Sequence, residues 1–193
     1  MNEPRGGTLV GMALGKDYAG QQCALARALE LVGERWTLLV VRDVFYGVRR
    51  FSDFQVHLDI PRAVLTARLA ALVDGGVLER RRYQESPPRD EYVLTDTGRA
   101  LWPAVFALAQ WALEFVPSAA GALREFAHVP CERIVDSSGL CPGCRRVAPA
   151  DELEMRPGPG ILTHTRTDPV SLALRAPHRL LEPLDLSGVA KPA

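Results

Sequence analysis

Apolar positions recur at helical spacing through the first half of the chain and then change period. Over residues 23–32 the stripe is Ala24, Ala28, Leu29 and Val32, and Gly33 stops it. Over residues 34–45 it is Trp36, Leu39, Val40 and Val44, ending at Gly47. Ser52 stands before DFQVHL as a candidate N-cap of a short third helix. Asp59 and Ile60 read as a turn, and Pro61 suits a first helical position. Val64, Leu65, Leu69, Leu72 and Val73 then mark a longer amphipathic helix, closed by Asp74-Gly75-Gly76 with a glycine free to turn left-handed. After this the signal switches. Residues 77–83 and 91–95 are short runs rich in branched and aromatic residues, separated by polar residues 84–90, which predicts a hairpin. Thr95 or Asp96 caps a further helix expected from Gly98 to Val116, with Leu101, Val105, Leu108, Ala112 and Phe115 on one face and Pro103 near its start.

Helix, short helix, tight turn, amphipathic helix and hairpin form a winged helix-turn-helix. The expected fold is mainly α with a small β-hairpin wing, an α+β domain over residues 17–116. That architecture lays the second helix of the pair in a major groove and reaches a flanking groove or backbone with the hairpin tip. From residue 117 the character changes. Pro117, Gly121 and Pro130 precede three cysteines, RPGPG follows at 156–160, and Pro169, Pro177, Pro183 and Pro192 punctuate the remainder. Residues 117–193 are therefore expected to be a small C-terminal extension with a Pro-rich tail.

Charge sharpens the picture. The 193 residues carry 23 Lys+Arg and 23 Asp+Glu, so no global field draws the chain to nucleic acid. The charge is unevenly spread: residues 49–89 hold eight Arg against five acids, a local excess of three. All cations but Lys16 and Lys191 are Arg, the residue suited to bidentate phosphate and base contacts, although codon bias alone also enriches Arg. Arg62 and Thr66 lie one turn apart at the start of the proposed recognition helix and are the candidates for base contact. Arg68 is two positions from Thr66 and need not share its face, so phosphate binding or an internal pair are both open to it. Arg80, Arg82 and Arg89 decorate the hairpin, with Arg81 on its other side, and Arg49 is a candidate phosphate contact.

CALARALELVGERWTLLVVRDVFYGVRRFSDFQ, IPRAVLTARLAALVDGGVLERRRY and PPRDEYVLTDTGRAL together resemble the HxlR-type transcriptional regulators, bacterial relatives of the MarR group. The resemblance spans residues 22–115. It implies a homodimer on a pseudo-palindromic double-stranded DNA operator, joined through residues 98–116 and 23–32. It implies a regulator, expected to be a repressor released by a small-molecule effector or by thiol chemistry. Cys23 matches a cysteine that senses oxidants or electrophiles in several members. A sensing thiol needs exposure and a lowered pKa, and the alternative is a small buried thiol. A winged-helix module used for protein contact is the competing reading.

The other three cysteines form a second pattern. His128-x-x-Cys131, nine residues, then Cys141-Pro-Gly-Cys144 offers a closed Cys₃His set suited to structural Zn²⁺. A redox-active Cys141–Cys144 pair, or plain reduced thiols, remain alternatives. The extension could pack on the dimer or line an effector pocket. No GxSxG, HExxH, P-loop or GxGxxG occurs, so no enzyme is expected. No run of about 18 apolar residues suggests a membrane span. The residues before Lys16 lack an uninterrupted signal-peptide core, so a cytoplasmic protein with reduced thiols is expected.

Overall fold

The computed structural model describes Tyr18 and residues 20–116, 121–163 and 165–188. The winged helix-turn-helix is built from α1 (Ala24–Val32), α2 (Thr37–Phe45), α3 (Phe51–Leu58), α4 (Arg62–Asp74), β1 (Leu78–Gln84), β2 (Arg89–Leu94), α5 (Asp96–Arg99) and α6 (Trp102–Phe115). The architecture is the one expected, α+β with an antiparallel two-stranded wing. Gly76 takes φ +69 at the α4–β1 turn, and the Thr95 side chain caps α5 by accepting from the Gly98 N–H at 3.1 Å.

Local details depart from expectation for identifiable reasons. α2 begins at Thr37 rather than Glu34, because Trp36 adopts a left-handed conformation at φ 79. Arg50, not Ser52, is the N-cap of α3; the Ser52 hydroxyl bonds Asp53 instead. The helix expected over 98–116 is two helices. Pro103 has no N–H to give the Arg99 carbonyl, so the chain breaks at Ala100 and Leu101 and restarts with Pro103 in the first turn of α6.

The C-terminal part is more ordered than its composition suggested. β3 (Arg124–His128), β4 (Arg133–Ile134), β5 (Leu153–Pro157) and β6 (His178–Arg179) form an antiparallel sheet in the order β4-β3-β5-β6, with the short helix α7 (Pro169–Ala173) before β6. The boundary expected at residue 117 lies outside the described residues, but both sides of it share one core. Phe126, Cys141, Met155, Val170 and Leu174 are buried in the same cluster as Phe45, Phe54, Leu65 and Trp102. Phe126 is the junction, its ring centroid 5.3 Å from Trp102 and 5.6 Å from Phe106. The segment after β6 also docks on the winged domain. The Leu181 N–H donates to the Phe45 carbonyl at 2.8 Å and the Leu184 N–H to the Gly47 carbonyl at 3.0 Å. Gly47 permits this: at φ +84, a Cβ there would stand 2.0 Å from the Glu182 carbonyl oxygen.

Candidate nucleic-acid interface and metal-ligand cluster

α4 is anchored by Leu65, Leu69 and Leu72, all buried, which turns Arg62, Ala63, Thr66, Ala67 and Ala70 outward. Small side chains on that face let the helix approach a groove closely. Arg62 and Thr66 share it, as their spacing implied. The Arg62 guanidinium rests 5.0 Å from the centre of the Phe51 ring, and the Thr66 hydroxyl donates to the Arg62 carbonyl at 2.9 Å. An exposed cation–ring contact is worth about 0.5–1 kcal/mol, so Arg62 swings off Phe51 at little cost.

Two other Arg side chains are engaged within the protein. Arg68 is turned from the outer face and pairs with Glu34 at 3.0 Å, bracing α4 against the segment before α2. Its Nε is buried without a partner. Arg49 donates to the Leu181 carbonyl at 3.1 Å and lies 3.7 Å from Glu91, so it clasps the C-terminal segment to the wing. On the wing, Arg80 and Arg82 share one side, as alternation requires, and both reach Asp90, at 3.5 and 2.9 Å. Arg81 lies on the other side with Glu79. Arg89 is exposed and forms no ion pair among the described residues. The basic excess counted over 49–89 is thus smaller in three dimensions. Asp90 and Glu91 fall just outside that window in sequence, and Glu34 well before it, yet all three pair with its Arg side chains in space.

Cys23 is exposed rather than buried. It is the N-cap of α1, and its sulfur accepts from the Ala26 N–H at 3.2 Å.

The structure brings His128, Cys131, Cys141 and Cys144 together, with one ligand atom from each lying within 4.8 Å of all the others. A tetrahedral zinc site with bonds of about 2.0–2.3 Å needs ligand separations of roughly 3.3–3.8 Å, so contraction by about 1 Å completes it. His128 ends β3, Cys131 ends the 3-10 turn after it, and Cys141 and Cys144 flank a tight Pro-Gly turn. His128 Nδ1 faces the thiols, 3.6 Å from Cys144 Sγ. Its Nε2 lies 2.7 Å from Glu152 Oε2, and Arg146 holds the same oxygen. A carboxylate behind a ligating imidazole fixes its orientation and raises its basicity. Burial opposes ionisation of Cys141, yet the Cys144 and Gly143 N–H groups and the His128 and Cys144 side chains bring its pKa down to about 6. Burial, with the bonds and charge of the neighbouring thiols, pushes Cys131 up to about 11. Glu152 and Arg146 were not legible as partners in the sequence, because only the fold of β5 against β3 brings residue 152 to residue 128.

A second network was also missed. Asp43 is fully buried, accepts from Arg42 at 2.7 Å and lies 2.8 Å from His57 Nδ1, tying α2 to the end of α3. Burial weakens the Arg42 charge, but Asp43 and Tyr46 beside it together more than compensate, so its pKa is raised. No helix among the described residues is long and apolar enough to cross a membrane.

Comparison with known proteins bears directly on this arrangement. The HxlR-like helix-turn-helix family model matches residues 31–120. The HTH-type transcriptional regulator Rv3095 of Mycobacterium tuberculosis, itself uncharacterized, is 42% identical over 137 residues, covering 71% of this chain and 87% of the relative. An alignment of that length must run past residue 120, so the similarity enters the C-terminal part. YdeP of Bacillus subtilis, another HTH-type transcriptional regulator, is 31% identical over 102 residues, covering 51% of this chain and 80% of its own. Among solved structures, PA1607, a candidate transcription factor, superposes with TM-score 0.50 and 35% identity over 66% of this chain and 88% of that one. With α4 presenting its outer face beside an arginine-bearing wing, these likenesses make the chain a DNA-binding transcriptional regulator, not an enzyme, and it belongs to the HxlR-like helix-turn-helix family.

Proposed function

We propose that the chain binds operator DNA as a homodimer and represses transcription there, with α4 in the major groove. Arg62 and Thr66 contact base edges, while Arg80, Arg82 and Arg89 meet flanking phosphates. Arg49 and Arg68 brace the wing and α4 so that these contacts stay in register. The observation that carries this reading is the exposed, small-residue face of α4, with Arg62 and Thr66 one turn apart beside the wing. A second copy covers α1 and α6, where Leu25, Leu108, Trp111 and Phe115 are 68%, 52%, 54% and 60% exposed. Leu108, Trp111 and Phe115 recur at helical spacing on one face of α6, and exposed apolar side chains grouped in this way mark an association surface. The extension holds structural zinc on His128, Cys131, Cys141 and Cys144. The regulator works in the cytoplasm and responds to a small molecule or to thiol chemistry, for which exposed Cys23 at the start of α1 is the candidate thiol.

Fluorescence anisotropy tests the reading, using a labelled duplex from upstream of the chain's own coding region and a scrambled duplex. The expected result is a preference of about 10³ or more for the native duplex, with affinity falling steeply from 50 to 200 mM salt. Equal affinity for both duplexes, or none for either, refutes it and leaves the protein-contact module as the better reading.

A further inference from the structure

A cavity of about 620 Å³ lies in the seam between the winged domain and the C-terminal sheet. Its size falls in the range of sites for small organic ligands, roughly 300–1,000 Å³. Trp36, Leu39, Tyr46, Phe126, Leu113 and Leu174 supply an apolar and aromatic lining drawn from α2, α6, β3 and α7 and their flanks. The charged residues at its wall are of one sign. Arg42, Arg124 and Arg166 line it together with His57, and among the described residues no Asp or Glu does.

The carboxylates nearby are already committed. Asp43 has no exposed surface and is shared between Arg42 and His57. Asp168 holds Arg166 at 3.0 Å. Arg124 forms no ion pair among the described residues; its Nη1 donates to the Leu123 carbonyl at 3.1 Å. Burial and the charges of Arg42 and Arg175 lower the Arg124 pKa, although Tyr46 opposes them. A guanidinium that is partly buried, close to other guanidinium groups and without a carboxylate of its own lacks a counter-anion. An incoming carboxylate supplies one and gains a charge-assisted hydrogen bond in a partly dry setting.

We infer that this cavity binds a small amphipathic carboxylate, its anionic head on Arg124 and Arg42 and its apolar or aromatic body against Trp36, Leu39 and Phe126. The geometry also gives such a ligand a route to the recognition helix. His57 and Leu58, at the cavity wall, close α3, and the turn 59–61 leads directly into Arg62 of α4. The inference deepens the small-molecule response proposed above, but binding is measurable without DNA.

The test uses 4-phenylbutanoate as the probe and 4-phenylbutan-1-ol as its uncharged counterpart. Both are titrated into the full chain by calorimetry and by tryptophan fluorescence. Saturable binding of the carboxylate is expected, with a dissociation constant of about 1 mM or tighter for a ligand of this size, and at least tenfold weaker binding of the alcohol. Arg124→Gln is expected to weaken carboxylate binding at least tenfold and to leave the alcohol unaffected. Ala112→Phe, which fills the cavity from the α6 side, is expected to abolish both and stands in if Arg124→Gln fails to fold. No saturation by 10 mM carboxylate overturns the inference. So does equal binding of acid and alcohol, or unchanged binding in both variants. The anisotropy measurement on the same preparation separates the two readings: DNA binding without carboxylate binding removes this site and leaves the regulator intact.

Discussion

Phe126→Ala probes whether the winged domain and the C-terminal sheet are one cooperative structure. Phe126 lies on β3, 7% exposed, but its ring packs into the other part of the molecule, 5.3 Å from Trp102, 5.6 Å from Phe106 and 6.4 Å from Tyr46. Truncating a buried Phe costs about 3–5 kcal/mol, and three aromatic pairs are lost with it. Phe126 also lines the open cavity, so water and neighbouring side chains can partly refill the vacated volume, which places the cost near the lower end, about 3 kcal/mol. For a chain of this size that lowers the melting temperature by about 6–12 °C. Urea unfolding followed by tryptophan fluorescence and by far-ultraviolet circular dichroism measures it. Trp36, Trp102 and Trp111 report on the winged domain, while the dichroism reports on the whole chain. One transition, coincident by both probes and shifted to lower urea, is expected. Two separate transitions, with the tryptophan signal unmoved, would refute the shared core. So would a loss below about 1 kcal/mol, which falls short of any buried-Phe truncation.

Other expectations follow from the same contacts. Arg62→Ala should cost about 1–3 kcal/mol of operator affinity and relax sequence preference, whereas Arg89→Ala should weaken all sequences alike and reduce the salt slope by about one; equal, salt-independent losses in anisotropy oppose both roles. Protein purified without chelator should hold one zinc per chain by elemental analysis, and Glu152→Gln should weaken zinc retention about 10–100-fold by freeing His128 Nε2 from its carboxylate; less than ~0.2 zinc per chain rules the site out. Asp168 caps α7, accepting from the Ser171 N–H at 2.9 Å. Burial raises its pKa, but the Ser171 and Arg166 bonds outweigh that and hold it below the usual value. Its stabilisation is therefore complete above the ordinary aspartate range and lost as pH falls through the lowered folded value. Asp168→Ala should cost about 1 kcal/mol at pH 7, a gap that closes in urea titrations below about pH 4. Trp111→Glu, on the exposed face of α6 beside Phe115 at 6.1 Å, should give a folded monomer in sedimentation velocity where the parent chain is a dimer; a monomeric parent at micromolar concentration defeats that proposal.

Much of the fold was legible because its determinants are local. Periodicity marked α1, α2 and α4, Gly75 and Gly76 closed α4, Thr95 capped α5, and branched and aromatic residues marked the wing. The Cys₃His set was legible too, since its two halves are short motifs whose spacing carries their chemistry. The misreadings came from competition that spacing does not encode. Pro103 split a helix that periodicity had joined, and the cap of α3 moved from Ser52 to Arg50. The fate of each Arg was likewise not local. Arg68 and Arg80 look alike in sequence, but one meets Glu34 and stays inside while the other remains at the surface beside Asp90.

The sequence by itself determined a neutral chain with a winged helix-turn-helix, an arginine-bearing recognition helix and a thiol-imidazole motif, because helical period, turn residues and ligand spacing are properties of neighbours along the chain. The tertiary structure alone decided which cations face outward, that Glu152 backs His128, that Asp43 is buried between Arg42 and His57, and that a one-signed cavity opens where Phe126 meets the winged domain. These depend on burial and on contacts that exist only once the helices have packed on one another and β3 and β5 have closed against them.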